Sequence, residues 1–336
     1  MRGRENVAIR AVGCDVTRKE FSAGLLVCEL VGNSKRVALF TATCASVLSA
    51  ALTLSACGSD DADQAAVEQP AAVAVAQTPV TLVSAGAEPR ESLAWFSDSG
   101  EQKVTFKATQ GLEQHTEGGT GEDLPYEDVT MTLPLSASVD TDGEKRTTSV
   151  TVGRPSGTNH ERNEDIASAE GFQMTTVHTA DGQAVERTMA APEGASDAAR
   201  ASVESALTQM NDFPVVFPSE KVGIGARWTV STKVDAGVSM FQDITYTLAA
   251  RQGKDVTLKI SVDRRPAVTS YGRTNLTVLD SSTESRGQVK VDLTRALPVS
   301  GQLSVTTALT LGDGEQKDSG TKVIQKATTR GQWLSE

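Results

Sequence analysis

Cysteine is missing where a folded domain would use it. The four cysteines are Cys14, Cys28, Cys44 and Cys57, so residues 58–336 contain none. That excludes a disulfide framework and a cysteine metal site from the bulk of the chain. A domain there must rest on its own core, and about 250 residues are enough to build one. Aromatic residues are only 4% of the sequence, which argues against a sugar-stacking cleft. Basic residues are outnumbered. Residues 57–336 keep 25 of the 32 Lys/Arg and 39 of the 43 Asp/Glu, a net charge of −14. Such a surface repels nucleic acid and anionic headgroups at long range. A long apolar run is also lacking. The one apolar stretch, 37–54, is diluted by Thr41, Thr43, Ser46, Ser49 and Thr53. A membrane span needs about 20 mainly apolar residues.

That stretch has a different meaning in context. The basic pair Lys35-Arg36 precedes it, and Leu54-Ser55-Ala56-Cys57 closes it before an abrupt turn to Gly-Ser-Asp-Asp. Charged start, apolar middle and small residues at the cut are the order of a secretory signal. Leu54, Ser55 and Ala56 directly before Cys57 resemble the lipobox of bacterial lipoproteins. The resemblance implies that the Cys57 thiol takes a diacylglycerol, becomes the mature N-terminus and holds the protein on the outer face of the cell membrane. Two acyl chains give stable anchoring where one gives marginal binding. A signal starting at Val31 has a normal length, and bacterial genes can begin at a valine codon. Residues 1–30 are therefore expected to be a mis-annotated extension, 31–56 the signal, and 57–78 the acylated Cys with a tether. The tether's Ala, Val, Pro and Asp buried too little to fold alone.

From Pro79 the pattern turns to period two. Val129, Met131, Leu133, Leu135, Ala137 and Val139 alternate with polar residues, with Pro134 suggesting an edge or bulge. Val104, Phe106 and Ala108 mark a second strand, and Val150 and Val152 a third. Asp181-Gly182 signals a hairpin between 171–179 and 183–189. Further strands start at Trp228 and Val230, and run along Met240, Ile244, Tyr246 and Leu248. Others follow Val256 to Val262, Val289, Val291 and Leu293, Leu303, Val305, Leu309 and Leu311, and finally Lys322 to Thr329. One helix interrupts them over 196–211. Ser196 caps it, and Ala199, Val203, Leu207 and Met210 form its apolar stripe. A shorter helical turn is expected at 165–169. The sum is a strand-dominated α+β domain over 79–336. It is a large curved antiparallel sheet, or two meander lobes, with one central helix, and the single sheet is preferred.

Signatures of catalysis are absent. His115, His160 and His178 belong to no metal spacing and read as solvated loop or strand-end residues. The acidic run around Glu161, Glu164 and Asp165 lacks the Ca²⁺ loop pattern. There is no Gly-x-Ser-x-Gly elbow. Val222-Gly223-Ile224-Gly225-Ala226 lacks the third glycine of a phosphate cradle and reads as a tight turn into the Trp228 strand. No catalytic residue, metal or cofactor is expected. An envelope hydrolase would have to rest on His115 with a distant carboxylate.

Gly86-Ala87-Glu88-Pro89-Arg90, Phe217-Pro218, Val222 to Trp228 and Leu297-Pro298, taken with the lipobox, resemble uncharacterised lipoproteins of high-GC Gram-positive bacteria. The architecture more loosely resembles bacterial carriers of lipoproteins and glycolipids. Two functions follow as expectations. The first is a binding or carrier lipoprotein for a lipid or other amphiphile, whose acyl chain would lie against Met240, Ile244, Leu248, Val289, Val291, Leu303, Val305, Leu309 and Leu311. The second is a non-catalytic interaction lipoprotein with a protein partner in the envelope. No nucleic-acid partner is expected.

Overall fold

The computed structural model describes residues 72–96, 100–118, 123–142, 145–235, 238–268, 276–312 and 320–335. The expectations for residues 1–30, for the signal at 31–56, for Leu54, Ser55, Ala56 and Cys57, and for the tether as far as residue 71 lie outside these residues. Two short strands come first, β1 (Val73–Ala74) and β2 (Val80–Ser84). A first meander follows: β3 (Gln102–Glu117), β4 (Leu124–Asp142), β5 (Lys145–Val152), the short β6 (Ser156–Gly157), β7 (Gln173–His178) and β8 (Ala184–Ala190). The short helix α1 (Asn163–Ala167) lies between β6 and β7, and α2 (Asp197–Asn211) ends the first half. The second meander comprises β9 (Arg227–Asp235), β10 (Ser239–Gln252), β11 (Asp255–Pro266), β12 (Thr277–Asp292), β13 (Ser300–Gly312) and β14 (Lys322–Ser335).

All of these strands belong to one antiparallel sheet of 14 strands. Its order is β1-β8-β7-β5-β4-β3-β14-β13-β12-β11-β10-β9-β2, with β6 beside β4. The two meanders therefore merge through the β3–β14 pair, which runs in register from Val104↔Ser335 to Glu117↔Lys322. The single curved sheet is the one observed.

The sheet is curled on itself. β1 and β2 are near neighbours in sequence but stand at opposite margins. Val75 N–H donates to Val185 of β8 at 2.9 Å, and Ser231 N–H of β9 donates to Pro79 at 3.0 Å. Four residue steps reach at most about 14 Å. The two margins thus face each other across a narrow seam, and residues 73–84 strap it. The end of the segment read as a tether is therefore docked: Thr78 exchanges two hydrogen bonds with the Gln183 side chain, at 3.0 and 2.6 Å.

Two local patterns refine the sequence expectation. Pro134 sits on an interior strand, not an edge, and of the two alternatives the bulge fits, since the four steps from Val152 to Ser156 oppose three from Leu135 to Thr132. The Pro134 carbonyl accepts from Gly153 N–H at 2.8 Å, so its nitrogen faces the place where the chain leaves the ladder between β5 and β6. No donor is required there. Strand β12 begins twelve residues before Val289. Its first half shows no apolar alternation because it is joined to β11 partly by side chains. Ser285 Oγ accepts from Val262 N–H at 2.7 Å and donates to the Val262 carbonyl at 2.8 Å. Thr283 makes the same pair of bonds with Arg264, at 3.1 and 3.2 Å.

The core lies inside the curl, around α2. Ser196 Oγ accepts from Ala199 N–H at 3.0 Å and starts the helix. Ala199, Val203, Ala206, Leu207 and Met210 are buried at helical spacing. They share one core with inward residues such as Phe106, Leu133, Leu248, Val289 and Leu303. Gln209 anchors the helix to β14, its Nε2 donating to the Arg330 carbonyl at 2.7 Å. After α2 the chain runs under an aromatic series. Trp228 Nε1 donates to Val216 O at 2.8 Å, and Tyr246 Oη donates to Pro214 O at 2.9 Å. The two rings stack with centroids 5.7 Å apart.

Candidate functional site

The residues just after α2 form one wall of a cavity of about 120 Å³. Strands β5, β7 and β8 supply the opposite wall, and the register explains its chemistry. On β5 the inward series is Arg146, Thr148, Val150 and Val152, all buried. On β7 it is Met174, Thr176 and His178. Arg146 pairs with His178, Thr148 with Thr176, and Thr176 with Arg187 of β8. Hydroxyls and cations thus occupy one end of a face that is apolar at the other. Trp95, Met210, Phe213, Leu297 and Trp333 complete the lining.

Arg146 is only 5% exposed, yet no carboxylate pairs with it among the described residues. It is held by neutral oxygens. Nη2 donates to Arg295 O at 2.6 Å, Nη1 to Thr148 Oγ1 at 3.2 Å, and Nε to Phe96 O at 3.4 Å. Its guanidinium carbon lies 5.3 Å from the centre of the Trp95 ring. Arg187 donates from Nε to Thr176 Oγ1 at 3.2 Å. Burial pulls the Arg146 guanidinium down to about 10, which leaves it charged at neutral pH. Burial, and then the charges of Arg146 and Arg187, push His178 down to about 4. His178 is therefore neutral at pH 7; it ends β7, as a strand-end residue was expected to, and is partly buried opposite Arg146 on the inward face. Asp212, the cap residue after α2, is pushed up to about 6 by burial against the pull of Arg264 and Arg187.

Arg264 and Gln242 link this region to the second meander. Arg264 Nε donates to Gln242 Oε1 at 2.8 Å, and Gln242 Nε2 donates to the Asp212 carbonyl at 2.8 Å. These polar residues divide the inward face. Along β10 it reads Met240, Gln242, Ile244, and along β13 Val305, Thr307, Leu309.

The nine residues expected to line an acyl site all point inward and are buried. Ile244, Leu248, Val289, Val291, Leu303 and Val305 belong to the main core with α2. Met240, Leu309 and Leu311 form a smaller cluster with Val234 and Val238. None of the nine borders the 120 Å³ cavity. His115 pairs with Asp123 at 2.9 Å, both exposed, and His160 is exposed on a 3-10 turn. No group of three metal-ligating side chains is present among the described residues, and none of their helices is long and apolar enough to cross a membrane.

Two of the stretches that carry the resemblance, around Gly86 and around Gly223, prove to be neighbours. Ala87 N–H donates to Ile224 O, and Gly223 N–H to Ala85 O, both at 2.9 Å. A Cβ on Gly223 would stand 1.7 Å from the Ala87 carbonyl oxygen, so only glycine fits. Phe217 packs between Trp95 and Trp228, and Leu297 closes two hydrogen bonds with the buried Gln102 side chain. Of these stretches, Leu297-Pro298 borders the cavity. The missed residues, Arg146 and Arg187, had one legible signal: Arg146 and Thr148 share the parity of Val150 and Val152.

Among curated proteins none matches the chain. Residues 200–298, which run from α2 to the Leu297-Pro298 turn, match the model of a family of unknown function, DUF6263.

Proposed function

We propose that this chain is a membrane-anchored lipoprotein of the bacterial envelope, held by diacylglyceryl-Cys57, whose curled sheet binds an amphiphile by its polar head. The cavity carries the reading. It sets guanidinium and hydroxyl donors on strand faces opposite Trp, Met, Phe and Leu side chains, and few convergent polar groups in an apolar hollow are the usual form of a ligand site. The lipobox and the fold resemblance to envelope carriers support the setting. The cavity is close in size to the roughly 150 Å³ hollow that takes a benzene ring. It admits a head, whereas Leu303 and Val289 are buried in the packed core and leave no such space for a chain. The reading assigns no catalytic step.

A second reading has its own observation. Leu112, Leu124 and Val129 are 41%, 45% and 61% exposed on the β3–β4 hairpin. An interaction lipoprotein would offer such residues to a partner. Native mass spectrometry of residues 58–336, expressed in an actinobacterial host, separates the two. A retained mass that extracts as an amphiphile is expected. A clean apo mass, unchanged after incubation with envelope lipids, would leave only the interaction protein.

A further inference from the structure

We infer that the ligand of this cavity carries an oxyanion, a phosphate or carboxylate, held by Arg146 and Arg187 and by the indole N–H of Trp333. The inference rests on the binding reading above and names its ligand class.

The first ground is charge. The chain is acidic, with a formal net charge of −11, yet its cavity is lined by two guanidinium groups and a neutral histidine. Taking a cation out of water costs several kcal/mol unless an anion or good hydrogen bonds compensate. Arg146 has neutral acceptors only. Arg187 feels Asp212 and makes no ion pair with it among the described residues.

The second ground is unused donors. A guanidinium has five N–H groups in a planar fork. Arg146 uses one on each of its three nitrogens, which leaves two. Arg187, which is half-buried, uses Nε alone and leaves the four N–H groups of its terminal nitrogens to water or a ligand. Trp333 is 4% exposed, lines the cavity, and has a buried Nε1–H with no partner among the described residues. Buried donors are normally satisfied, and an orphan on a residue that lines the same cavity as two guanidinium groups points to an acceptor that arrives with a ligand.

The third ground is selectivity. The surrounding hydroxyls, Thr148 and Thr176, already serve the two arginines as acceptors. They fix the forks in place, which favours a planar or tetrahedral oxyanion over a neutral hydroxyl group. A free anion and a lipid headgroup share this chemistry.

Tryptophan fluorescence of residues 58–336 can follow titration with inorganic phosphate, octyl phosphate and octanol, since Trp95 and Trp333 line the cavity. Saturable responses to both phosphates are expected, with competition between them. Arg187→Gln should weaken both by roughly tenfold or more, the size of one charge-assisted hydrogen bond lost. Arg330→Gln, a surface control paired with Asp128, should change neither. Arg146→Lys is a second variant that keeps the charge and loses the fork. Octyl phosphate binding tighter than phosphate identifies a headgroup, and equal binding identifies a free anion. Octanol binding as well as octyl phosphate, unaffected by Arg187→Gln, would overturn the oxyanion and leave the binding reading standing. No response to any of the three, from a folded protein, would overturn both.

Discussion

Two side chains in and beside the cavity wall have charge states that their surroundings impose. Asp212 is held up at about 6, so its contribution to stability is present below the ordinary carboxylate value of about 3.8 and lost as pH rises through 6. His178 is held down at about 4, so its contribution is present above about 6.5 and lost as pH falls through 4. Between pH 4 and 6 the two slopes oppose each other. Urea unfolding at pH 4.5, 5.5 and 7 should expose them separately. Asp212→Asn should gain stability over the parent as pH rises through 6, by up to roughly 3 kcal/mol at one pKa unit per 1.36 kcal/mol. His178→Gln should gain over the parent as pH falls toward 4. Parallel profiles for parent and variants would mean that neither group is buried as described. Neither residue announced this in the sequence. His178 beside Asp181-Gly182 reads as a strand-end histidine, and its burial depends on Arg146, 32 positions away, being its cross-strand partner.

Among the elements, α2 is where local signals were complete. Ser196, the acidic first turn and the stripe from Ala199 to Met210 specify the helix and its buried face together. In the fold this stripe fills the curl, so its truncation should be costly. Leu207, fully buried, should lose about 2–5 kcal/mol on Leu207→Ala. Ser196→Ala should lose about 1 kcal/mol by removing the cap. Denaturant midpoints at constant m-value check both. A Leu207→Ala loss below about 1 kcal/mol would show that α2 does not fill the interior. The strands were legible where apolar residues alternate, as in β3, β4, β10, β11 and β13. The first half of β12 was not, because Thr283 and Ser285 replace ladder bonds there and leave no alternation to read.

At the scale of the whole molecule, long-range pairing is the feature that a sequence hides. The β3–β14 ladder joins residues more than 200 positions apart, and the strap at 73–84 bridges margins that are far apart in sheet order. Pairings of that separation leave no periodic trace. The resemblance motifs were visible but their meaning was not. Gly223 and Gly86 mark a close backbone approach, and Leu297 and Phe217 hold loops at the rim of the cavity. The aliphatic faces were correctly read as inward, and the polar cavity was missed because it is assembled from β5, β7, β8, β14, the end of α2 and loop residues from Trp95, Gly182, 213–215 and 296–298.

The account stands on a ligand entering that cavity, and the three indole N–H signals of residues 58–336 can report it in a ¹⁵N-resolved proton spectrum. Trp333 and Trp95 line the cavity, whereas Trp228 Nε1 is committed to Val216 O. On addition of octyl phosphate the Trp333 and Trp95 signals should shift together and saturate, while the Trp228 signal stays in place. Indole signals that all remain still, or a shift confined to Trp228, would contradict the account.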